Sequence, residues 1–250
     1  MNATTRSSTV LHELAPRIAI TGGTAGLGLA LVAEWLSRGA RVAFVARDAA
    51  RVERTSRTHR PAIGIVGDVS KQSDIYPVAT QLLGALGGLD VLVNNASSLG
   101  PVPLALLGDT ECEDFQLALA TNLLGPFRLT KALLGALAAS ARAGTGGIVV
   151  NITSDAAVTP YSGWGAYGAS KAALLHMSRI WHAELAPEGI RVLAIDPGDM
   201  DTELHALALP NDDRSSLLSP AAAARRLSAA IAAELALPRF SSGHAIGDIP

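Results

Sequence analysis

The sequence contains a single cysteine, Cys112, among 250 residues. One thiol cannot close an intramolecular disulfide, and no cluster of His and Cys has zinc-ligand spacing, so neither a disulfide framework nor a bound metal is expected. Cysteine usage of this kind makes the cytoplasm the default compartment. Charge of one sign is also scarce: 20 Lys+Arg stand against 22 Asp+Glu, a net charge of −2, which argues against the basic footprint of a nucleic-acid binder. No apolar stretch approaches the roughly 18 residues of a membrane span. The first twenty residues include Arg6, His12, Glu13, Pro16 and Arg17 and have no apolar core of a signal peptide. The expected partner is therefore a small molecule rather than a nucleic acid or a membrane. Aromatic residues make up only 4% of the chain, which favours an aliphatic lining for any pocket. What is present is 49% hydrophobic residues and 24 glycines, a composition that excludes disorder and, without a triplet period, collagen.

After a polar leader of about fourteen residues, strand-sized apolar runs recur at Ile18–Thr21, Arg41–Val45, Ile63–Val66, Leu89–Val93, Ile148–Ile152 and Val192–Ile195. They are nearly continuous and rich in Val and Ile, as strands buried on both faces should be. Segments of helical spacing lie between them. Leu27–Ser37 stops before Gly39, and Ile75, Val78, Ala79, Leu82 and Leu86 repeat at three- and four-residue steps. Thr110 and Glu113 read as a capping box opening one helix that carries Phe115, Leu119, Leu123 and Leu129. A further helix runs from about Trp164 to Ala186, closed by Pro187 and Gly189, and Ser219-Pro220 opens a last, alanine-rich one. Alternation of strand and helix predicts a single α/β domain over 1–250, a doubly wound parallel sheet of about seven strands with helices on both faces. The seventh strand is expected around His244–Ile246. Residues 199–218 have no clear periodicity and are read as a lid.

The first strand leads through Gly22, Thr24, Ala25, Gly26, Leu27 and Gly28 into a helix. Glycines there permit positive φ and close backbone approach to a pyrophosphate, which the helix N-terminus favours. The second strand ends Val45-Ala46-Arg47, with no acid positioned for a ribose hydroxyl and a guanidinium suited to a 2′-phosphate. That favours NADP(H), with NAD(H) possible if Arg47 faces solvent or Asp48 diverts it. Asp68, followed by Val69, is either an acceptor for an adenine amino group or a helix cap.

Tyr167 and Lys171 are four residues apart on one helix face, and Ser154 ends the preceding strand. An ammonium beside a phenol favours the phenolate and should bring the tyrosine down from its ordinary value of about 10. With a hydride donor alongside, this is a sufficient set for reducing a ketone, with Tyr167 as general acid.

Together these residues resemble the short-chain dehydrogenase/reductase family, over nearly the whole chain and in the family's order. The pattern is carried by Thr21-Gly22 through Gly28, Asn94-Asn95-Ala96, Asn122, Ser154, Tyr167-Gly168-Ala169-Ser170-Lys171 and Pro197-Gly198 with Thr202. The resemblance implies that Asn122 anchors a water in a relay to Lys171, Ser154 orients the substrate oxygen, Tyr167 is the acid/base, and Lys171 also holds the nicotinamide ribose. It places Asn95 and Ala96 on the adenosine side, Met200 and Thr202 at the carboxamide and phosphates, and substrate contacts in the lid. It also implies a homodimer or homotetramer, with the leucine-rich helix of Asn122 as core or dimer seam. Ser97 departs from the family's usual glycine, with altered packing beside the adenine ribose as the expected consequence. Trp164 either walls the substrate pocket or packs at its helix start. His205 either meets a polar substrate or is solvated. The expected reaction interconverts a ketone and a secondary alcohol of a small organic molecule; the alternative in another class is a non-catalytic dinucleotide sensor.

Overall fold

In the computed structural model, which describes residues 15–237, the apolar runs form six strands: β1 (Arg17–Thr21), β2 (Arg41–Ala46), β3 (Ile63–Val66), β4 (Val91–Asn94), β5 (Ile148–Ile152) and β6 (Arg191–Ile195). All pairings are parallel, in the order β3-β2-β1-β4-β5-β6. The sequence reading expects about seven strands. Six form among the described residues, and both the segment assigned to the seventh, around His244–Ile246, and the leader 1–14 lie outside them.

The continuous apolar runs follow from the pleat, because successive side chains face opposite sides and both sides are covered. Ile18, Ile20, Val42, Phe44, Val91, Val93, Ile148 and Val150 pack on one face against α1 (Gly26–Ser37) and α8 (Pro220–Ala236). Ala19, Ala43, Val45, Leu92, Val149 and Val192 pack on the other against α3 (Gln72–Leu86) and α5 (Gly125–Ala143). A one-residue slip of any inner strand would exchange these two sets, so the pattern also fixes the register. The remaining helices are α2 (Ala49–Thr58), α4 (Cys112–Leu119), α6 (Gly165–Leu185) and α7 (Glu203–Ala208).

Two expectations fail locally. Thr110 does not cap a helix: its hydroxyl donates to Leu106 O at 2.9 Å, closing the preceding turn, while Glu111 takes the N-cap position without a side-chain bond. The single helix expected beyond it is interrupted by a π-turn, Ala120–Leu124, which carries Asn122. π-turns recur at functional sites because they re-aim a side chain without ending the helix. Residues 199–218, read from the sequence as a lid, are more regular than their lack of periodicity suggests. They hold α7, capped by Thr202, and their ends are joined by a bridge between Met200 and Leu218.

Candidate active site

The strand order reverses around β1, whose neighbours are β2 and β4, and a cleft of about 910 Å³ opens at the carboxyl ends of the strands there. This is where open parallel sheets place ligands. One end of the cleft is built by the glycine turn. Gly22 and Gly26 have φ of 71° and 50°, and a Cβ on Gly28 would lie 2.2 Å from Gly22 O, so the turn accepts only glycine at that position. Thr21 Oγ1 accepts from the N–H groups of Asn95 and Ala96, each at 3.0 Å, and Asn95 Nδ2 donates to Thr21 O at 2.9 Å. The turn and the loop after β4 are thereby locked together. Helix α1 begins at this turn with Ala25 as N-cap, no side-chain cap and no acid in its first turn, unlike α2, α7 and α8, each capped by a side chain. Free N–H groups at that end suit a dinucleotide's pyrophosphate.

Arg47 is exposed at the end of β2 and lines the cleft. Asp48 does not divert it: the carboxylate accepts from Arg51 N at 3.0 Å and caps α2. Arg51 in turn reaches Glu203 on α7 at 3.2 Å, tying α2 to α7. Asp68 is not the cap of α3; its Oδ1 takes both the N–H and the hydroxyl of Ser70, at 3.0 and 2.7 Å. Val69, Leu27, Ala96, Pro197, Gly198, Met200 and Thr202 also line the cleft.

The cleft also collects Ser154, Tyr167 and Lys171, while Asn122 is buried outside its lining and bonded to Ser170, the neighbour of Lys171 on α6. Lys171 is 2% exposed, and its Nζ donates to Ile152 O at 2.8 Å while lying 5.4 Å from the centre of the Tyr167 ring. Burial lowers its pKa to about 8, partly opposed by Asp196. Tyr167 behaves opposite to expectation. Burial pushes its phenol up to about 12, and hydrogen bonding by the Ser154 and Ser97 side chains offsets only part of this. Lys171 is not among the groups that lower it: its Nζ is engaged by Ile152 O and lies 5.4 Å from the ring centre, and desolvation of the phenolate dominates.

Asn122 is fully buried and bonded at every position of its amide: Nδ2 donates to Ser98 O and Ser170 Oγ at 2.7 and 2.8 Å, and Oδ1 accepts from Ser98 N and Ser97 Oγ at 2.8 and 3.2 Å. Ser154 caps a short turn, accepting from Ala156 N at 3.2 Å and donating to Asp155 Oδ1 at 3.0 Å. Asp155 also accepts from the Tyr161 hydroxyl at 2.7 Å. Trp164 is the N-cap of α6, packs edge-on against Tyr167 with ring centres 5.6 Å apart, and lines the cleft. His205 is not solvated: its side chain is 11% exposed and its Nε2 lies 2.9 Å from Asp212 Oδ2. The sequence did not single out Ser97 as a neighbour of Asn122, nor Ser170, nor Asp155. Ser170 had a usable signal, being three residues from Tyr167 on the same helix face; Ser97 had only its departure from glycine.

The short chain dehydrogenase family model matches residues 16–212. A curated relative, 2-(R)-hydroxypropyl-CoM dehydrogenase of Xanthobacter autotrophicus, is 34% identical over 194 residues, 75% of this chain and 76% of that protein. Among solved structures, a 3-ketoacyl-(acyl-carrier-protein) reductase from Brucella melitensis complexed with NADH superposes with a TM-score of 0.79 at 28% identity, covering 91% of this chain and 93% of that one. An alcohol dehydrogenase from Thermococcus sibiricus complexed with 5-hydroxy-NADP gives 0.77 at 25% identity, over 91% and 93%. Among the described residues, no helix is long and apolar enough to cross a membrane. On its fold, its cleft and these matches, the chain belongs to the short-chain dehydrogenase/reductase family and is an NAD(P)-dependent oxidoreductase acting on CH–OH or C=O groups.

Proposed function

We propose that the protein is an NADP(H)-dependent ketoreductase, working reversibly as a secondary-alcohol dehydrogenase, on small substrates without negative charge. The observation that carries this reading is the convergence of Ser154, Tyr167 and Lys171, backed by Asn122, on the cleft that the glycine turn opens. When bound, the nicotinamide supplies the hydride. Tyr167 delivers the proton to the carbonyl oxygen, and its burial keeps it loaded as a phenol until then. The Ser154 hydroxyl turns from Asp155 to that oxygen and stabilises its developing charge. Lys171, a cation at neutral pH with its Nζ 5.4 Å from the Tyr167 ring centre, holds the ribose.

Arg47 supports the preference for a 2′-phosphate: it lines the cleft, and the neighbouring acid is engaged elsewhere. NAD(H) is the second reading. It is favoured by Arg51 being held by Glu203, which leaves Arg47 to act alone, and by the NADH in the Brucella reductase. Residues 199–218 form the substrate lid. The substrate end is lined by Leu99, Trp164, Leu207 and Leu209 together with Asp155 and Asp212; of the basic side chains there, Lys171 is bonded to Ile152 O and His205 is paired with Asp212. An anionic substrate would meet carboxylates there without a surface counter-cation. A homodimer is supported by Leu117 on α4 and Leu124 in the π-turn, 39% and 38% exposed.

The test follows nicotinamide absorbance with NADPH and NADH in parallel across simple ketones, diketones, quinones, cyclic ketones and acetoacetyl thioesters. Consumption of NADPH with an uncharged ketone is the expected result. Consumption confined to NADH, or to the anionic thioesters, would overturn the cofactor or the substrate assignment respectively.

A further inference from the structure

Asp155 follows Ser154 in the chain and lines the same cleft, together with Tyr161, Trp164 and Tyr167. Its carboxylate is engaged at both oxygens. Oδ1 accepts from Ala156 N at 2.8 Å and from the Ser154 hydroxyl at 3.0 Å, and Oδ2 accepts from the Tyr161 hydroxyl at 2.7 Å. Tyr161 packs in turn on Trp164, with ring centres 6.5 Å apart. Groups other than Ser154 therefore suffice to hold the carboxylate in place.

A serine hydroxyl has one hydrogen to give. In the free protein that hydrogen lies on Asp155, while Ser154 Oγ accepts from Ala156 N at 3.2 Å. A carbonyl oxygen entering the site competes for it with a charged acceptor, and hydrogen bonds to ions are roughly twice as strong as those between neutral groups. A plain ketone is at a disadvantage in that competition. A substrate that brings its own donor is not, because the donor replaces the Ser154 hydrogen on Oδ1, which keeps its bond from Ala156 N. The serine hydrogen then passes to the carbonyl oxygen, and every donor and acceptor stays paired.

The spacing says where on the substrate the donor must be. Ser154 Oγ and Asp155 Oδ1 are 3.0 Å apart, so the two substrate heteroatoms that engage them side by side must be close neighbours, as they are on adjacent carbons. The charge of the acceptor says what the donor is: a hydroxyl or an ammonium.

We propose that Asp155 is the specificity residue of the substrate end and selects carbonyl compounds with a hydroxyl or ammonium group on the carbon next to the carbonyl, together with the vicinal diols and amino alcohols into which they are reduced. Hydride and proton transfer are unchanged by it; at Asp155 only hydrogen bonds are exchanged.

This proposal rests on Ser154 and Tyr167 serving the carbonyl oxygen, so the experiment separates the two. Reduction is measured with NADPH and NADH for hydroxyacetone and α-hydroxyacetophenone, for their isosteres butanone and propiophenone, and for their methyl ethers. The methyl ethers keep the electron withdrawal of the oxygen and lack the donor. The parent should show kcat/KM about tenfold higher for each hydroxyketone than for its methyl ether or isostere, as expected for one charge-assisted hydrogen bond. In Asp155→Asn and Asp155→Ala that preference should fall to about twofold or less. A purely structural role for Asp155 would instead lower all the ketones by a common factor and leave the ratio as it was. A parent that does not discriminate hydroxyketone from methyl ether, that reduces neither hydroxyketone, or whose preference survives in both Asp155 variants would overturn the proposal, while an inactive Tyr167→Phe left the acid/base assignment standing. Full turnover by Tyr167→Phe would overturn both.

Discussion

Replacing Lys171 by methionine keeps the buried stem and removes the ammonium, and the consequence is a change in how stability depends on pH. The folded protein lowers the Lys171 pKa from 10.5 to about 8, with burial as the main cause. Between those values the unfolded chain binds more protons than the folded one, so stability rises as pH increases through that window. At about 1.4 kcal/mol per pH unit the full rise is about 3 kcal/mol, of which about 2 kcal/mol is realised by pH 9.5. Tyr167 works the other way, but only above about pH 10, where the unfolded phenol ionises and the folded one, at about 12, does not. The comparison is therefore made between pH 7 and 9.5. In a chain of this size 2 kcal/mol corresponds to about 4–8 °C. Thermal or urea unfolding of the parent and of Lys171→Met across that range should show the two curves converging from a methionine variant that is relatively more stable at pH 7. Parallel curves would refute the reasoning, because they would mean that Lys171 is not held at a depressed value by burial.

The cofactor end gives two further expectations. Arg47→Ala should weaken NADPH binding about tenfold and NADH binding less than twofold, read by fluorescence titration with each nucleotide, since a single exposed charge-assisted contact with the 2′-phosphate is lost. Gly28→Ala places a methyl 2.2 Å from Gly22 O and 2.5 Å from Asn95 Nδ2, so the turn must open; nucleotide binding should fall more than tenfold while circular dichroism stays that of a folded α/β protein.

The sheet could be read from sequence because burial on both faces writes itself as runs such as Ile148–Ile152, and the helices facing it repeat at three and four residues. The glycine turn and the Tyr167–Lys171 spacing were legible for a similar reason: each is a local backbone or helix-face constraint. What is not legible depends on competing hydrogen-bond partners, helix geometry and burial. Thr110 looked like a cap because three-residue spacing to Glu113 is all that sequence offers, whereas the turn at Leu106 competes for its hydroxyl. The π-turn around Asn122 leaves the apolar repeat intact and so gives no sign of itself. The raised pKa of Tyr167 is not legible because spacing reports that Lys171 is near but not that burial desolvates the phenol. Ser97 and Asn122 are 25 residues apart, and only the folded loop shows that they touch.

The central claim is that Tyr167 transfers the proton, and the most direct measurement is single-turnover reduction by Tyr167→Phe with NADPH binding measured on the same sample. The account predicts binding within about twofold of the parent and a rate of reduction about 10²–10⁴-fold lower. A phenylalanine variant that reduces the ketone at the parent's rate would contradict it.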